Sequence, residues 1–360
     1  MNSRLFFAAS LAFAWSSSAA DLQEVARFPN QQVTGVGISE KSGRIFVNFP
    51  YWSDDHSLSV AEIVNGQPRA FPDEEWNKPG PPASHFICVQ SVVVDDQDNL
   101  WVLDPAAPKM QEIVKGGPKL VKIDLATNKV VQTIPFGEDV APAKSYLNDV
   151  RIDTPNQKAF ITESAKGAII VVDLASGKAR RLLGDSKSTK PESGFKLTVD
   201  GKQLLDQQTK RPPQIASDGI ALDAKNGYLY YHALTGHTLY RIETSYLTDE
   251  NLSEKDLESK VENVGQTPAS DGMLEGPDGS VYLTDLEHSA VVRWDPVSKN
   301  VEAVITDKRL LWPDTLSWGV DGDLYVTASQ IENMPRFNGG KSTRTEPYKL
   351  WRIAGINPKQ

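Results

Sequence analysis

Short stretches in which hydrophobic and polar residues alternate recur along most of the chain, separated by turns rich in Gly, Asn and Asp. Alternation with a period of two, carried by β-branched and aromatic residues, is typical of β-strands. Three such stretches follow one another in "SDGIALDAKNGYLYYHALTGHTLYRI" (residues 217–242). Gly, Asn and Asp tolerate the positive φ that tight hairpin turns need. The pattern therefore predicts consecutive antiparallel hairpins.

The same unit of strands occurs six times. Each copy begins with a short strand that follows small or polar residues, and successive copies start 43 to 70 residues apart. The starting stretches are "VTGVGIS" at 33, "VQSVVVD" at 89, "LNDVRID" at 147, "SDGIALD" at 217, "SDGMLEG" at 270 and "PDTLSWG" at 313. Six four-stranded antiparallel units predict an all-β fold, a six-bladed β-propeller that forms a single domain over residues 21–360. A β-sandwich with an extra domain is the alternative, and it does not explain six parallel copies.

The ends of the chain and two long connections complete this prediction. The last unit has three strands after Pro313, and "LQEVARF" (residues 22–28) precedes the first unit without a partner. We expect this N-terminal strand to join the sixth blade as its outer strand and close the ring, which removes free sheet edges. Residues 184–214 are expected to add a small hairpin. Residues 248–264 are expected to form a helix, in which Ser253 and Asp256 resemble a capping box.

Residues 1–20 have the features of a secretory signal peptide. Arg4 precedes an apolar core over residues 5–15, and small residues lead up to Asp21. We therefore expect cleavage after Ala20 and export, to the periplasm or to the outside of the cell. Cys88 is the single cysteine, so no intrachain disulfide can form. With 47 acidic and 38 basic residues and no dense Lys/Arg cluster, neither nucleic acid nor an anionic membrane is an expected partner.

The starts of the first strands carry the candidate chemistry. The first strand of a propeller blade lies nearest the axis, so these residues are expected to face the central channel. The six copies place there, in order, Thr34, Gln90, Asn148, Asp218, Asp271 and Asp314. Oxygen ligands of this kind suit a hard cation such as Ca²⁺ better than zinc or copper. A site for Ca²⁺ or another divalent cation is one interpretation, and an Asp that caps its own turn is the alternative at each copy.

Several longer stretches together resemble the major royal jelly protein/yellow family, in the form of a bacterial-type member. They are "GRIFVNFPYW", "FPDEEWN", "VQSVVVDDQDNLWVLDPA", "YLNDVRID" with "AFITES", "SDGIALD", "SDGMLEGPDGSVYLTD" and "WPDTLSWGVDGDLYVT". The likeness runs from about residue 22 to residue 355. It implies a secreted six-bladed propeller. Insect members include dopachrome-converting proteins and salivary binders of biogenic amines, so the resemblance implies either a dopachrome-type tautomerase or a small-molecule binder.

The chain is also distantly similar to the gluconolactonase/senescence-marker propellers, which are metal-dependent lactonases. Their calcium ligands are a Glu, two Asn and an Asp on the innermost strands. Asn148 matches the first Asn, Asp218 stands in the place of the second, and Asp271 matches the Asp. Thr34 occupies the place of the Glu, and Asp314 is expected to replace its charge from the opposite blade. The likeness thus implies a metal site of Asn148, Asp218, Asp271 and Asp314.

Three functions remain open from the sequence. In the first, a cation polarises the carbonyl of a lactone or related molecule, and Asp218 or Asp271 acts as general base. In the second, the channel holds no metal and binds a small cationic or aromatic ligand, with Gln90, Asp149 and Trp312 among its contacts. In the third, the propeller is a platform for protein interactions. A small-molecule site is favoured over the platform because a cluster of carboxyl groups at the axis is costly without a role.

Overall fold

The computed structural model describes residues 20–345 and 347–356. The predicted signal peptide lies outside these residues apart from Ala20. Within them the chain forms six four-stranded antiparallel sheets and one two-stranded sheet. No helix in the described part of the chain is long and apolar enough to cross a membrane.

The N-terminal strand and the first three blades use the first half of the chain. The N-terminal strand is β1 (Asp21–Phe28). Blade 1, from the axis outward, consists of β2 (Val36–Ile38), β3 (Ile45–Asn48), β4 (Val60–Val64) and β5 (Gln67–Ala70). Blade 2 consists of β6 (Ser91–Val94), β7 (Asn99–Asp104), β8 (Lys119–Asp124) and β9 (Lys129–Pro135). Blade 3 consists of β10 (Leu147–Asp153), β11 (Lys158–Glu163), β12 (Ala168–Asp173) and β13 (Ala179–Leu182).

The other three blades follow a small hairpin of β14 (Thr198–Val199) and β15 (Lys202–Gln203). Blade 4 consists of β16 (Ser217–Asp223), β17 (Tyr228–Ala233), β18 (Thr238–Glu243) and β19 (Glu262–Gln266). Blade 5 consists of β20 (Met273–Glu275), β21 (Val281–Asp285), β22 (Ala290–Trp294) and β23 (Val301–Thr306). Blade 6 consists of β24 (Pro313–Trp318), β25 (Leu324–Ala328), β26 (Tyr348–Ala354) and, outermost, β1.

The six innermost strands surround the axis. Each contacts the inner strand of the next blade, and β24 contacts β2, so the blades form a complete ring. The outer strand β1 pairs antiparallel with β26, from Asp21 opposite Ala354 to Phe28 opposite Tyr348. The prediction of a six-bladed propeller is confirmed.

The hydrophobic core lies between the blades as six separate layers. Residues from blades 2 and 3 form one such layer, for example Leu120 with Ile161, and equivalent layers fill the other five junctions. Because each sheet buries both faces against its neighbours, the strands carry apolar residues on both sides near the middle of each blade. A seventh cluster lies above the ring and joins the β14–β15 hairpin to Trp312, Met334 and Phe337.

The predicted hairpin in residues 184–214 is therefore present, whereas the predicted helix over residues 248–264 is wrong in its extent. The structure has two short helices, α2 (Thr244–Thr248) and α3 (Glu254–Glu258), after a single turn, α1 (Glu74–Asn77), earlier in the chain. Ser253 does cap α3, since its side chain accepts a hydrogen bond from the Asp256 N–H. Residues 262–266 pair with β18 instead, because blade 4 needs an outer strand and tertiary pairing overrides local helix propensity.

Candidate functional site

Irregular backbone at the starts of the inner strands aims polar side chains at the axis. The register shifts between Leu147 and Val150 in β10, between Ser217 and Ile220 in β16, and between Pro313 and Leu316 in β24. A β-bulge of this kind turns side chains away from the regular alternation of a strand. Asn148, Asp218 and Asp314 all lie within these bulges.

The glycine of each Ser-Asp-Gly motif allows the next blade to approach. A Cβ atom on Gly219 would lie 2.7 Å from the carbonyl oxygen of Asp271, and one on Gly272 would overlap the carbonyl oxygen of Asp314. Any larger residue would therefore push the inner strands apart. The repeated motif thus brings the carboxyl groups of blades 4, 5 and 6 close to one another.

Threonine hydroxyl groups on second strands hold neighbouring blades in this arrangement. Thr162 Oγ1 accepts a hydrogen bond from the Asp149 N–H at 3.2 Å and donates one to the carbonyl oxygen of Asp218 at 2.6 Å. Thr327 makes the same pair of bonds between blade 6 and Thr34 of blade 1. In each pair, one bond stays within the blade and the other reaches the backbone of the next blade beside a candidate site residue, so the site is built on rigid elements.

One cavity of about 790 Å³ opens above these residues. Its floor is polar and comes from the inner strands of blades 2 to 6, namely Gln90, Asn148, Asp218, Asp271 and Asp314. Its walls are more apolar and include Trp52, Ile215, Leu234, Trp312, Met334 and Phe337. A largely apolar pocket of this size with a few convergent polar groups is typical of a small-molecule site.

Thr34 is the predicted axial residue that the cavity does not include. Its side chain is fully buried, and its hydroxyl accepts a hydrogen bond from Asn48 Nδ2 at 2.9 Å. Asn48 in turn donates to the backbone of blade 2. Blade 1 therefore contributes packing to the site and no polar group to its floor.

Asp218 and Asp271 form a buried carboxyl pair. Their side chains are 3% and 7% exposed and lie within hydrogen-bonding distance of each other. Burial, together with the charges of Asp271 and Asp149, raises the pKa of Asp218 well above its ordinary value. Burial also raises the pKa of Asp271 to about 6, although its hydrogen bonds to Trp312 and Asp218 favour the charged form. Two carboxyl groups this close and this buried are costly to ionise together, so the pair favours a state that keeps one proton.

Asp314 completes the acidic side of the floor. Burial and the charge of Asp271 raise the pKa of Asp314 well above its ordinary value. Its Oδ2 and the Oδ1 of Asp218 are buried and have no hydrogen-bond partner in the part of the chain that the structure describes. A buried carboxyl oxygen without a partner is energetically expensive unless an ion or a water molecule pairs with it.

Trp312 and Asp149 were both predicted as ligand contacts, but only Trp312 lines the cavity. Trp312 lines the cavity and donates its indole N–H to Asp271 Oδ2 at 2.5 Å. Asp149 does not line the cavity, because its carboxylate lies below the floor, 4.0 Å from Arg151 Nη2. Asp149 therefore affects the pKa values of Asp218 and Asp271 through its charge and not through direct contact.

Sequence reasoning missed Arg151. Its guanidinium is buried and donates to the carbonyl oxygens of Val150 and, across the channel, of Met273 in blade 5. It thereby closes the channel beneath the cavity and supplies a positive charge beside Asp149. The signal in the sequence was an arginine between two apolar residues, Val150 and Ile152, on an inner strand, since buried arginine is rare unless paired.

Tyr146 was also missed. Its hydroxyl accepts a hydrogen bond from Trp52 Nε1 at 2.8 Å and donates one to Gln90 Oε1 at 2.8 Å. All three side chains line the cavity. Cys88 lies beside this chain of hydrogen bonds, and burial raises the pKa of its thiol to about 12, so it is an inert structural cysteine.

The donor set has the chemistry of a calcium site without its usual arrangement. The carboxyl and amide oxygens are hard ligands, and two carboxyl oxygens have no partner among the described residues. However, the described residues contain no group of three or more His, Cys, Asp or Glu side chains arranged to hold a metal ion. The predicted cation site of Asn148, Asp218, Asp271 and Asp314 stays a prediction.

Comparison with known sequences identifies relatives of this chain. The family model described as "Major royal jelly protein" matches residues 87–345. Major royal jelly protein 2 of Apis mellifera is 23% identical over 325 residues, which cover 87% of this chain and 62% of the relative. Across three such honeybee proteins, the matched region spans 40% to 62% of the relative's length.

Solved structures share the fold at much lower identity. A gluconolactonase from Xanthomonas campestris superposes with a TM-score of 0.57 at 10% identity, covering 94% of this chain and 90% of the other. Regucalcin from Agrobacterium tumefaciens, described as a calcium-binding protein, has a TM-score of 0.52 at 14% identity, covering 92% and 94%. Identities this low show a common fold and no more.

Proposed function

This chain belongs to the major royal jelly protein family, and we propose that its axial cavity binds a small carbonyl compound and hydrolyses it by proton transfer through Asp218 and Asp271. Lactones are the substrate class that we propose. The observation that carries this proposal is the buried carboxyl pair beneath the cavity, in which burial raises the pKa of Asp271 to about 6 and that of Asp218 well above its ordinary value. Two carboxyl groups with separated pKa values are the usual basis for assigning an acid and a base.

The two carboxyl groups take complementary roles in this reaction. Ionised Asp271 removes a proton from a water molecule while the water oxygen bonds to the carbonyl carbon of the lactone. When the ring C–O bond breaks, protonated Asp218 donates its proton to the departing oxygen, and the product is a hydroxy acid. The proton on Asp271 then returns to Asp218 across their hydrogen bond, which restores the starting state.

Neighbouring side chains support this division of roles. The Trp312 indole donates to Asp271 and favours its charged form. Arg151 lies next to Asp149, which limits the negative charge that Asp271 and Asp218 experience from below. The apolar upper walls exclude water from the bound substrate, which strengthens interactions with the carboxyl groups. A gluconolactonase has the same fold, which makes lactones the first carbonyl compounds to test.

A divalent cation is compatible with the donor types on the floor. Asn148, Asp218, Asp271 and Asp314 would hold it, and the unpartnered oxygens of Asp218 and Asp314 favour this arrangement. When bound, a hard cation polarises a substrate carbonyl. The fold shared with a calcium-binding regucalcin adds support.

The second candidate function is binding without hydrolysis. Aromatic side chains of Trp52, Trp312 and Phe337 stand above the carboxyl groups, an arrangement that suits a small cationic or aromatic ligand. The same carboxyl pair could also move a proton within such a ring, as a dopachrome-type tautomerase requires. In each case we propose an exported protein whose partner is a small molecule.

The test is the hydrolysis of dihydrocoumarin, an aromatic lactone, by the protein from residue 21 onward. We expect turnover that rises through about pH 6 as Asp271 ionises, and a loss of about 100-fold or more in Asp218→Asn and in Asp271→Asn. Asp173→Asn, on the outer part of blade 3, is the matched control and should keep full activity. If both site variants hydrolyse the lactone at the unaltered rate, or if the unaltered protein hydrolyses none, the proposed reaction is wrong.

A further inference from the structure

The chain of hydrogen bonds from Trp52 through Tyr146 to Gln90 has a direction. An indole N–H can only donate, so Tyr146 Oη must accept from Trp52 Nε1. The single hydroxyl proton of Tyr146 is then free to bond to Gln90 Oε1, at 2.8 Å. The amide oxygen of Gln90 is thereby engaged, and none of the hydrogen bonds in the described ranges uses its Nε2 as the donor.

The opposite orientation of the Gln90 amide is disfavoured by the same contacts. If nitrogen and oxygen were exchanged, Tyr146 Oη would face two donors, the Trp52 indole and the Gln90 amide. Its own proton would then be left with the Cys88 thiol, which also lies within hydrogen-bonding distance. Sulfur is a weak acceptor. Trp52 and Tyr146 therefore set the amide with its N–H groups toward the cavity.

From this arrangement we propose that Gln90 is a specificity-determining residue, which donates its side-chain N–H to an acceptor oxygen of the ligand and so selects carbonyl compounds for the cavity. The proposal rests on the small-molecule function proposed above. Trp52 and Tyr146 are positioning residues, since they act through Gln90.

The placement of the other polar groups agrees with this role. Gln90 comes from blade 2, whereas the carboxyl groups of Asp218, Asp271 and Asp314 come from blades 4 to 6 on the other side of the floor. A carbonyl carbon between them would have its oxygen toward the Gln90 donor and its attacked face toward the carboxyl pair. An N–H donor aimed at the oxygen that gains charge stabilises that charge during attack. Gln90 is itself only 7% exposed, so the bond would form away from bulk water.

The test compares 4-chromanone with chroman, which differ only in a ketone carbonyl and cannot be hydrolysed. Affinities are measured by calorimetry for the unaltered protein, Gln90→Met, Tyr146→Phe and Tyr240→Phe. The unaltered protein should bind 4-chromanone about tenfold more tightly than chroman, the ratio that one hydrogen bond provides. Gln90→Met and Tyr146→Phe should reduce the ratio to near one. Tyr240→Phe removes a hydroxyl outside the cavity and should leave it unchanged.

A second measurement separates positioning from a general effect on the fold. The side-chain amide resonance of Gln90 in a ¹⁵N-labelled sample should shift when 4-chromanone is added and not when chroman is added. The Tyr146→Phe variant should lose that selective shift while keeping its melting temperature.

Any of three results would overturn the assignment of Gln90. They are equal affinities for the two compounds, no saturable binding of either compound, and an affinity ratio that is unchanged in both Gln90→Met and Tyr146→Phe. Failure of the proposed hydrolysis is distinguishable. If dihydrocoumarin is not consumed but the preference for 4-chromanone depends on Gln90, the reaction is wrong and the ligand assignment stands. If dihydrocoumarin is consumed but 4-chromanone is not bound more tightly than chroman, the assignment of Gln90 is wrong and the proposed hydrolysis stands.

Discussion

Replacing Asp271 by asparagine should make the protein more stable at neutral and basic pH and should change its stability little at pH 4. Asparagine keeps an oxygen that can accept the Trp312 indole N–H, so the geometry of the floor is retained. Burial raises the pKa of Asp271 from 3.8 to about 6 in the folded protein. Each unit of pKa difference between folded and unfolded states corresponds to about 1.36 kcal/mol, so ionisation of Asp271 costs the fold about 3 kcal/mol.

The direction of this effect follows from which state releases its proton first. Below pH 3.8 Asp271 is protonated in both states, and the fold has its full stability. As the pH rises toward about 6, only the unfolded chain ionises, so the free energy of unfolding falls and then levels off. The asparagine of the variant cannot ionise and escapes this loss. Removing the charge also relieves Asp218 and Asp314, whose pKa values Asp271 raises, and this acts in the same direction.

The assay is urea unfolding of both proteins at several pH values between 4 and 8, followed by tryptophan fluorescence. Asp173→Asn is the matched control, because Lys158 lowers the pKa of Asp173 well below its ordinary value. Its stabilising effect is lost only below the ordinary Asp pKa of 3.8, so the control should be destabilised by a nearly constant amount between pH 4 and 8. A stability difference between Asp271→Asn and the unaltered protein that does not change with pH would refute the reasoning.

Three further changes test other parts of the site. Arg151→Met should lower the free energy of unfolding by about 3–5 kcal/mol, because it leaves Asp149 buried without a counter-charge. A loss below about 1 kcal/mol in chemical denaturation would contradict the role of Arg151 as the counter-charge of Asp149. Gly272→Ala should destabilise the protein by more than about 1 kcal/mol, because the added methyl group overlaps the Asp314 backbone. An unchanged melting temperature would count against the close approach of blades 5 and 6. Calcium titration of EDTA-treated protein should give a one-site isotherm that Asp314→Asn weakens by about tenfold or more; no heat from the unaltered protein would remove the cation prediction.

The order of the strands could be predicted because it is encoded locally. Alternating residues and tight turns recur in every unit, and each hairpin joins neighbours along the chain. The Ser-Asp-Gly motifs pointed to Asp218 and Asp271 for the same reason, since equivalent positions in a closed ring meet at one axis. The helix over residues 248–264 was overextended because local propensity cannot show that blade 4 needs residues 262–266 as its outer strand.

The site's finer properties depend on partners that are distant in the chain. Trp52 bonds to Tyr146, and Arg151 bonds to the backbone of Met273, and no local pattern contains these pairings. Asp149 directly follows Asn148, yet a bulge directs one side chain to the cavity and leaves the other below its floor. By itself, the sequence determined a ring of six blades and the residues that meet at its axis, because both follow from repeated local patterns. Only the tertiary structure decided which of those residues form a buried carboxyl pair, which line the cavity and which lie beneath it, because burial and cross-blade contacts set pKa values and side-chain orientation.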